Sequence, residues 1–229
     1  MKIIDQSYKI ISLPENILSM IEAAGRTCYK SEDKIGCTEA HEGICADVKF
    51  DAWGNGCLNS QCSAHSSVKF VGRMRDRGHH AMIEFGDIIV KFVTNRGVTH
   101  ELVRHRLFSF AQESTRYVRY EGRMEFIRPC WWEDSTTTQQ IIWKDALLCA
   151  ERHYKELLDF GWRPEQSREV LPNSLKTEIV VKGNIREWRW CLQLRTSKKA
   201  HPQIRALMLP LLAELKERVP VLFNDIEAG

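Results

Sequence analysis

The sequence predicts an α+β protein in one domain spanning residues 1–229. Three observations carry this. Segments of strand character stand among helical ones without the regular alternation of βαβ units. A chain of 229 residues is long enough for one sizeable core, burying roughly 70% of its unfolded surface. Its 43% hydrophobic and 28% charged residues lie outside the disordered and fibrous classes.

The first strand is expected from Lys2 to Ser12 and a helix from Pro14, with Ile17, Ile21, Ala24 and Cys28 on one buried face. Residues 34–65 have no periodicity and read as an insertion. Ser66 is placed to cap a helix carrying Phe70, Val71 and Met74, closed by Gly78. The run DIIVKFVT, Asp87 to Thr94, is β-branched and aromatic, which favours a strand. Gly97 then turns the chain, and Thr99 caps a short helix holding Glu101 to Arg106. A second extended stretch is expected from Gln112 toward Tyr120. Next comes a long helix over about Gln139 to Phe160, its face set by Ile142, Ala146, Cys149 and Leu157. Pro164 starts another helix and Pro172 stops it. From Leu175 the odd-numbered residues Thr177, Ile179 and Val181 form the better-buried face of a strand that Gly183 ends. Asn184 with Glu187 three residues on has the pattern of a helix start, and Ile185, Trp188, Leu192 and Arg195 share a face of that helix. A last helix carries Ile204, Leu207, Met208, Leu211 and Leu215, with a kink at Pro210.

Charge and cysteine usage narrow the function classes. With 33 Lys+Arg against 30 Asp+Glu the formal charge is only +3, so no nucleic-acid or membrane partner follows from overall charge. No signal-peptide core or spanning segment is evident, and a cytoplasmic protein is expected. The eight cysteines then read as thiols or core fillers rather than a disulfide scaffold. Cys37, His41, Cys45, Cys57, Cys62 and His65 lie in the insertion, but no pair has the tight Cys-x2-Cys spacing, and no metal site is expected. Trp131–Trp132 and His153 read as core or interface residues.

The densest chemical signal is RHRLFSFAQESTRYVRY. Arg104, Arg106, Arg116 and Arg119 stand there with one acid, Glu113. Burying unpaired guanidinium groups is costly, so an anionic ligand is the expected partner, and arginine forks suit phosphate. In an extended segment Gln112, Ser114 and Arg116 project to one side, an amide, a hydroxyl and a cation suited to a phosphorylated, hydrogen-bonding base.

Arg104-His105-Arg106, seven residues, Ser114 and then Arg116 resemble the signature of flavin-dependent thymidylate synthases. GRTCYKSED (25–33), GHHAMIEF (78–85), EQSREVLP (165–172) and NIREWRWCLQLR (184–195) resemble further segments of that family in the same order. The resemblance implies synthesis of dTMP from dUMP, with methylenetetrahydrofolate as one-carbon donor, reduced FAD as hydride donor and NADPH reducing the flavin. It implies a homotetramer with active sites at subunit interfaces. By matching position, Glu101, Arg104, Gln112, Ser114 and Arg116 would contact dUMP, with Arg168 reaching it from another subunit. Arg104, His105, Arg106, Gln112, Asn184 and Arg186 would bind FAD, with Ala81 and Trp190 at its periphery and His79 near the flavin and folate. Arg195 would sit against the uracil as the catalytic residue, favouring its enolate-like form; a fixed cation there stabilises developing negative charge. No cysteine nucleophile is expected, because no cysteine lies in the arginine-rich segment.

Departures from the family pattern fall at Phe85, where a histidine is usual, and at His80, Ala81, Trp190 and Lys199. The full expectation is a twisted, largely antiparallel sheet flanked by helices, one domain of a homotetramer. Two rivals are a flavin enzyme leaving a different one-carbon group, such as hydroxymethyl, on the pyrimidine, and a nucleic-acid-binding module built on the Cys/His insertion.

Overall fold

A computed structural model of the chain describes residues 1–36 and 66–229. The fold is α+β, with an antiparallel sheet flanked by helices. The strands are β1 (Lys2–Ile4), β2 (Ser7–Ser12), β3 (Asp87–Asn95), β4 (Ser109–Gln112), β5 (Glu125–Ile127) and β6 (Lys176–Asn184). The helices are α1 (Ile17–Tyr29), α2 (Ser66–Asp76), α3 (Arg96–Leu102), α4 (Thr137–Asp159), α5 (Pro164–Ser167), α6 (Ile185–Arg195), α7 (Pro202–Arg218) and α8 (Pro220–Phe223). The main sheet has the order β2-β3-β6-β4, and β1 pairs with β5 in a separate two-stranded sheet. Asp87 pairs with Lys182 and Lys91 with Glu178. The partner's number falls as the strand's own rises, so β3 and β6 run antiparallel. None of the helices among the described residues is long and apolar enough to cross a membrane.

The contacts divide these residues into two compact units. The first comprises Met1–Lys9, Val90–Val181 and Lys199–Leu207, the second Ile10–Ile89, Lys182–Lys198 and Met208–Gly229. In the first unit a core cluster of Met124, Phe126, Leu147, Tyr154, Leu158 and Leu175 lies under α4. β1 is parallel to β5, with Ile3 opposite Phe126, a local exception to the antiparallel rule. The expected single strand from Lys2 to Ser12 is split at Asp5 and Gln6. Asp5 forms a two-pronged ion pair with Arg128 at 2.7 and 2.6 Å. Gln6 donates to the Gln203 carbonyl and accepts from Thr94.

The long helix starts slightly earlier than expected, where Thr136 and Gln139 form a capping box. Its buried face is also different: Leu147, Glu151, Tyr154 and Leu158 face inward, while Ile142 and Ala146 are exposed and Cys149 and Leu157 are half-buried. A buried glutamate hides this stripe from a hydrophobic pattern. Glu151 pairs with the N-terminal ammonium at 2.6 Å and with Lys155 at 2.7 Å, which offsets its desolvation.

In the second unit α1 and α2 bury Ile17, Leu18, Ile21, Phe70, Val71 and Met74. Ala24 is only half-buried and Cys28 is exposed, so the expected face of α1 ends a turn early. Gly25 is required there, because a Cβ would lie 2.5 Å from the Phe70 ring. Gly78, at φ +75°, closes α2 as expected. Strand β6 continues through Gly183, which is buried and does not turn the chain. Asn184 Oδ1 then accepts from the Glu187 N–H at 2.9 Å and starts α6. That helix buries Ile185, Trp188, Cys191 and Leu192, and the Trp188 indole donates to the Ile88 carbonyl.

Candidate functional site

The arginine-rich segment lies in the first unit. Helix α3 is capped by Asn95, whose Oδ1 accepts from the Val98 N–H at 2.8 Å. Gly97 and Thr99, expected to turn and cap, are inside the helix instead. The helix stops at Leu102, and a tight turn follows in which Arg104 N–H reaches the Glu101 carbonyl and His105 N–H the Leu102 carbonyl. Arg104 and Arg106 are therefore exposed, while His105 between them is buried with its ring 5.8 Å from Phe108. Among the described residues the side chains of Arg104 and Arg106 have no acidic partner.

Strand β4 ends at Gln112, and the expected extension toward Tyr120 is a turn. Ser114 causes this: its carbonyl accepts from the Tyr117 and Val118 N–H groups, and its Oγ from the Arg116 N–H at 3.3 Å. A serine that satisfies its own backbone in this way competes with strand pairing. Ser114 is half-buried and Arg116 exposed, with its guanidinium 5.2 Å from the Tyr117 ring centre. The common projection of Gln112, Ser114 and Arg116 from one strand face is lost. Gln112 instead points its amide nitrogen at the buried hydroxyls of Thr99 (3.0 Å) and Thr177 (3.3 Å). Glu101 is half-buried on α3. Arg168, expected to act from another subunit, donates to Thr115 Oγ of its own chain at 3.4 Å and pairs with Glu169. Among the expected residues, the structure thus gathers Ser114, Arg116 and Arg168 around one turn.

The remaining site residues belong to the second unit. His79 is exposed and its Nδ1 lies 3.3 Å from the Tyr29 hydroxyl. Ala81 is exposed at the start of a 3-10 turn, Met82–Phe85. Arg186 pairs with Glu84 at 2.7 Å. Asn184 spends its side-chain oxygen on the helix cap, which leaves its amide N–H groups for a ligand. Trp190 and Phe85 are both exposed, at 57% and 63%. Arg195 is half-buried in the last turn of α6.

Among the described residues two cysteine thiols, Cys191 and Cys130, are held in the protonated direction. Burial pushes the Cys191 pKa up to about 12, and the opposing charge of Arg195, one helical turn away, does not overcome it. Cys130 is exposed as a residue, yet partial burial of its thiol raises its pKa too. Cys28 donates to the Ala24 carbonyl on the outside of α1. Among the described residues no group of three or more His, Cys, Asp or Glu is arranged to hold a metal ion. Cys37, His41, Cys45, Cys57, Cys62 and His65 lie outside the described residues.

Trp131 is exposed rather than core, and with Trp132 and Trp143 it lines a surface cavity of about 380 Å³. His153 is exposed on α4.

Residues 9–221 match the model of the thymidylate synthase complementing protein family. The chain belongs to the flavin-dependent thymidylate synthase family. Relatives bearing that enzyme's name include one from Corynebacterium efficiens, 29% identical over 91% of this chain and 79% of its own. Those from Mycolicibacterium vanbaalenii and Mycobacterium tuberculosis are 30% identical at the same coverage. The fold is shared with PolB from Streptomyces cacaoi, described as a UMP/dUMP methylase and solved with 5-Br dUMP. The TM-score is 0.73 at 20% identity, covering 98% of this chain and 96% of that one.

Sequence reasoning named Gln112 but missed the residues that hold it and its neighbour Glu113. Thr99, Thr177, Tyr120, Lys176 and Arg96 hold Gln112 and Glu113 in place. The only sequence signal for two of them was a threonine on an otherwise apolar face, at Thr99 and Thr177.

Proposed function

We propose that the protein makes dTMP from dUMP, with methylenetetrahydrofolate as the one-carbon donor and reduced FAD as the hydride donor. NADPH reduces the flavin, no enzyme cysteine attacks the nucleotide, and one catalytic domain spans residues 1–229. The observation that carries this reading is the trio Arg104, Arg106 and Arg116, exposed on the turns that flank β4 and, among the described residues, without acidic partners. Free guanidinium groups beside the Ser114 turn fit the phosphates of a nucleotide and of a dinucleotide cofactor. The methylase PolB, solved with a brominated dUMP, supports a pyrimidine nucleotide as substrate.

Several residues suit FAD. Arg104 and Arg106 offer charge to its pyrophosphate, Asn184 and Arg186 offer N–H donors, and Trp190 and Ala81, both exposed, would lie at its periphery. His105, buried between these two arginines, joins them in binding FAD. The flavin, when bound, supplies the hydride.

Glu101, Gln112, Ser114, Arg116 and Arg168 orient dUMP, Gln112 through its amide oxygen. Arg195 is the catalytic residue: a permanent cation against the uracil carbonyls stabilises the charge that makes the ring carbon nucleophilic. His79, oriented by Tyr29, borders the flavin and folate. The Cys191 thiol, with its raised pKa, is not a competing nucleophile.

We place the enzyme in the cytoplasm as a homotetramer with shared active sites. Arg168 bonds the turn of its own chain, so the sharing extends to it only if it also reaches a neighbour's nucleotide.

The deciding experiment incubates the purified protein with dUMP, methylenetetrahydrofolate and NADPH and weighs the product. Flavin released on denaturation and a product of dTMP mass are expected. A hydroxymethylated product, or turnover without flavin, refutes the reading. So does loss of all turnover in a folded, flavin-loaded Cys→Ala variant.

A further inference from the structure

Glu113 has no role in the reading above, yet it is the most firmly held residue of the arginine-rich segment. Tyr120 donates its hydroxyl to one carboxylate oxygen at 2.6 Å, and the Lys176 ammonium lies 3.3 Å from the other. The Glu113 N–H donates to the Glu178 carbonyl at 2.9 Å, and Arg96 Nη2 donates to the Glu113 carbonyl at 3.0 Å. Lys176 in turn pairs with Glu178 at 2.8 Å, and Glu178 pairs with Lys91. The Tyr120 N–H reaches the Tyr154 hydroxyl in the core cluster. All of these residues lie in the first unit. Main chain and side chain of Glu113 are thus fixed at four points, immediately before Ser114.

We infer that Glu113 is a positioning residue, clamped by Tyr120, Lys176 and Arg96 so that the Ser114–Arg116 turn is set for a nucleotide phosphate before the nucleotide arrives. This rests on the reading of that turn as the dUMP phosphate site. A carboxylate next to a phosphate site opposes anion binding unless it is neutralised, and Lys176 does so here. Burial and the Glu113 charge raise the Tyr120 phenol well above its usual pKa, so it remains a donor throughout the working range. The clamp prepays the ordering of Ser114 and Arg116, which a loose turn would charge against affinity. The clamp acts on the binding turn, so its loss should fall on KM rather than on kcat.

The test uses the flavin-loaded enzyme with Tyr120→Phe, Glu113→Ala and Glu113→Gln variants. It measures the dissociation constants of dUMP and deoxyuridine, together with KM, kcat, Tm and flavin content. For Tyr120→Phe, dUMP binding should weaken about 2- to 12-fold, the effect of freeing one ordered side chain. For Glu113→Ala the loss should be about tenfold or more, and the double variant should be no worse than Glu113→Ala alone. KM should follow, with kcat and flavin content unchanged. Deoxyuridine binding should not move, so the preference for the phosphorylated ligand shrinks. Glu113→Gln, which still bridges Tyr120 and Lys176, should recover most of the affinity. A merely structural role predicts instead that Tm, flavin content and both ligands fall together, without rescue. That result overturns the inference, as does unchanged dUMP affinity in Tyr120→Phe and Glu113→Ala. A wild-type enzyme that does not bind dUMP overturns the parent reading, and the inference with it.

Discussion

Arg116→Ala offers a clean separation of ligand binding from folding. The side chain is exposed, and its one recorded contact is the face of Tyr117, itself exposed. Removing it strands no buried partner, so unfolding free energy should stay within about 0.5 kcal/mol of wild type. A charge-assisted hydrogen bond to a ligand is worth about 1.5–3 kcal/mol. The exposure of Arg116 argues against the larger penalties of desolvated pairs. Affinity for dUMP should therefore fall about 10- to 150-fold. Raising the salt from 0.05 to 0.5 M should narrow the gap between wild type and variant, as a screened contact requires. Calorimetric titration with dUMP and with deoxyuridine is the assay. The variant should match wild type for deoxyuridine, which has no phosphate. Equal losses for both ligands, or a fall in Tm, would refute the assignment of Arg116 to the phosphate.

Gln112→Ala should behave differently, because the Gln112 amide bonds two buried hydroxyls. Thermal unfolding should show a loss of about 1–3 kcal/mol, and an unchanged Tm would mean that the amide faces the ligand instead. Asn184→Ala removes the α6 cap and should cost about 0.5–2 kcal/mol, with Asn184→Gly much milder; chemical denaturation and flavin retention measure both. Asp225 pairs with the buried Arg189, whose guanidinium holds the carboxyl below its usual pKa despite partial burial. A depressed folded pKa stabilises above the unfolded value of about 4 and the benefit is lost as pH falls through the folded one. Asp225→Asn should therefore lower stability at pH 7, flatten the pH dependence between about 5 and 3, and converge with wild type in acid; urea titrations at stepped pH would expose a failure to converge.

Local rules were enough for several elements whose partners in space are also neighbours in sequence. The β-branched run of β3, the alternation of β6, the Asn184 cap and the left-handed Gly78 are all short-range effects, and each stands as expected. The turn at Ser114, which replaces the expected extension, is a local exception, whereas two other failures have a long-range cause. The first strand breaks at Asp5 and Gln6 because Arg128 and Gln203 capture them. The buried face of α4 is displaced because the chain's own N-terminus neutralises Glu151. At the site, the charge of Arg104, Arg106 and Arg116 could be read directly, but the direction of Gln112 could not. It depends on Thr177, 65 residues away.

The overall charge of +3 conceals how selectively the basic residues are used. Arg26, Arg75, Arg128, Arg186 and Arg189 each meet a carboxylate within 3.0 Å. Those pairs cancel one another in the sum and leave little field at a distance. Within the signature the one acid, Glu113, is taken by Tyr120 and Lys176, so it cannot satisfy Arg104, Arg106 or Arg116. A count of charges across the segment would assign it a partly neutralised patch; among the described residues the pairing leaves Arg104, Arg106 and Arg116 without an acidic partner while Glu113 is held by Tyr120 and Lys176. Substituting Tyr120 or Lys176 would leave the Glu113 carboxylate with one partner fewer, and an unneutralised carboxylate next to Ser114 would oppose an anion there.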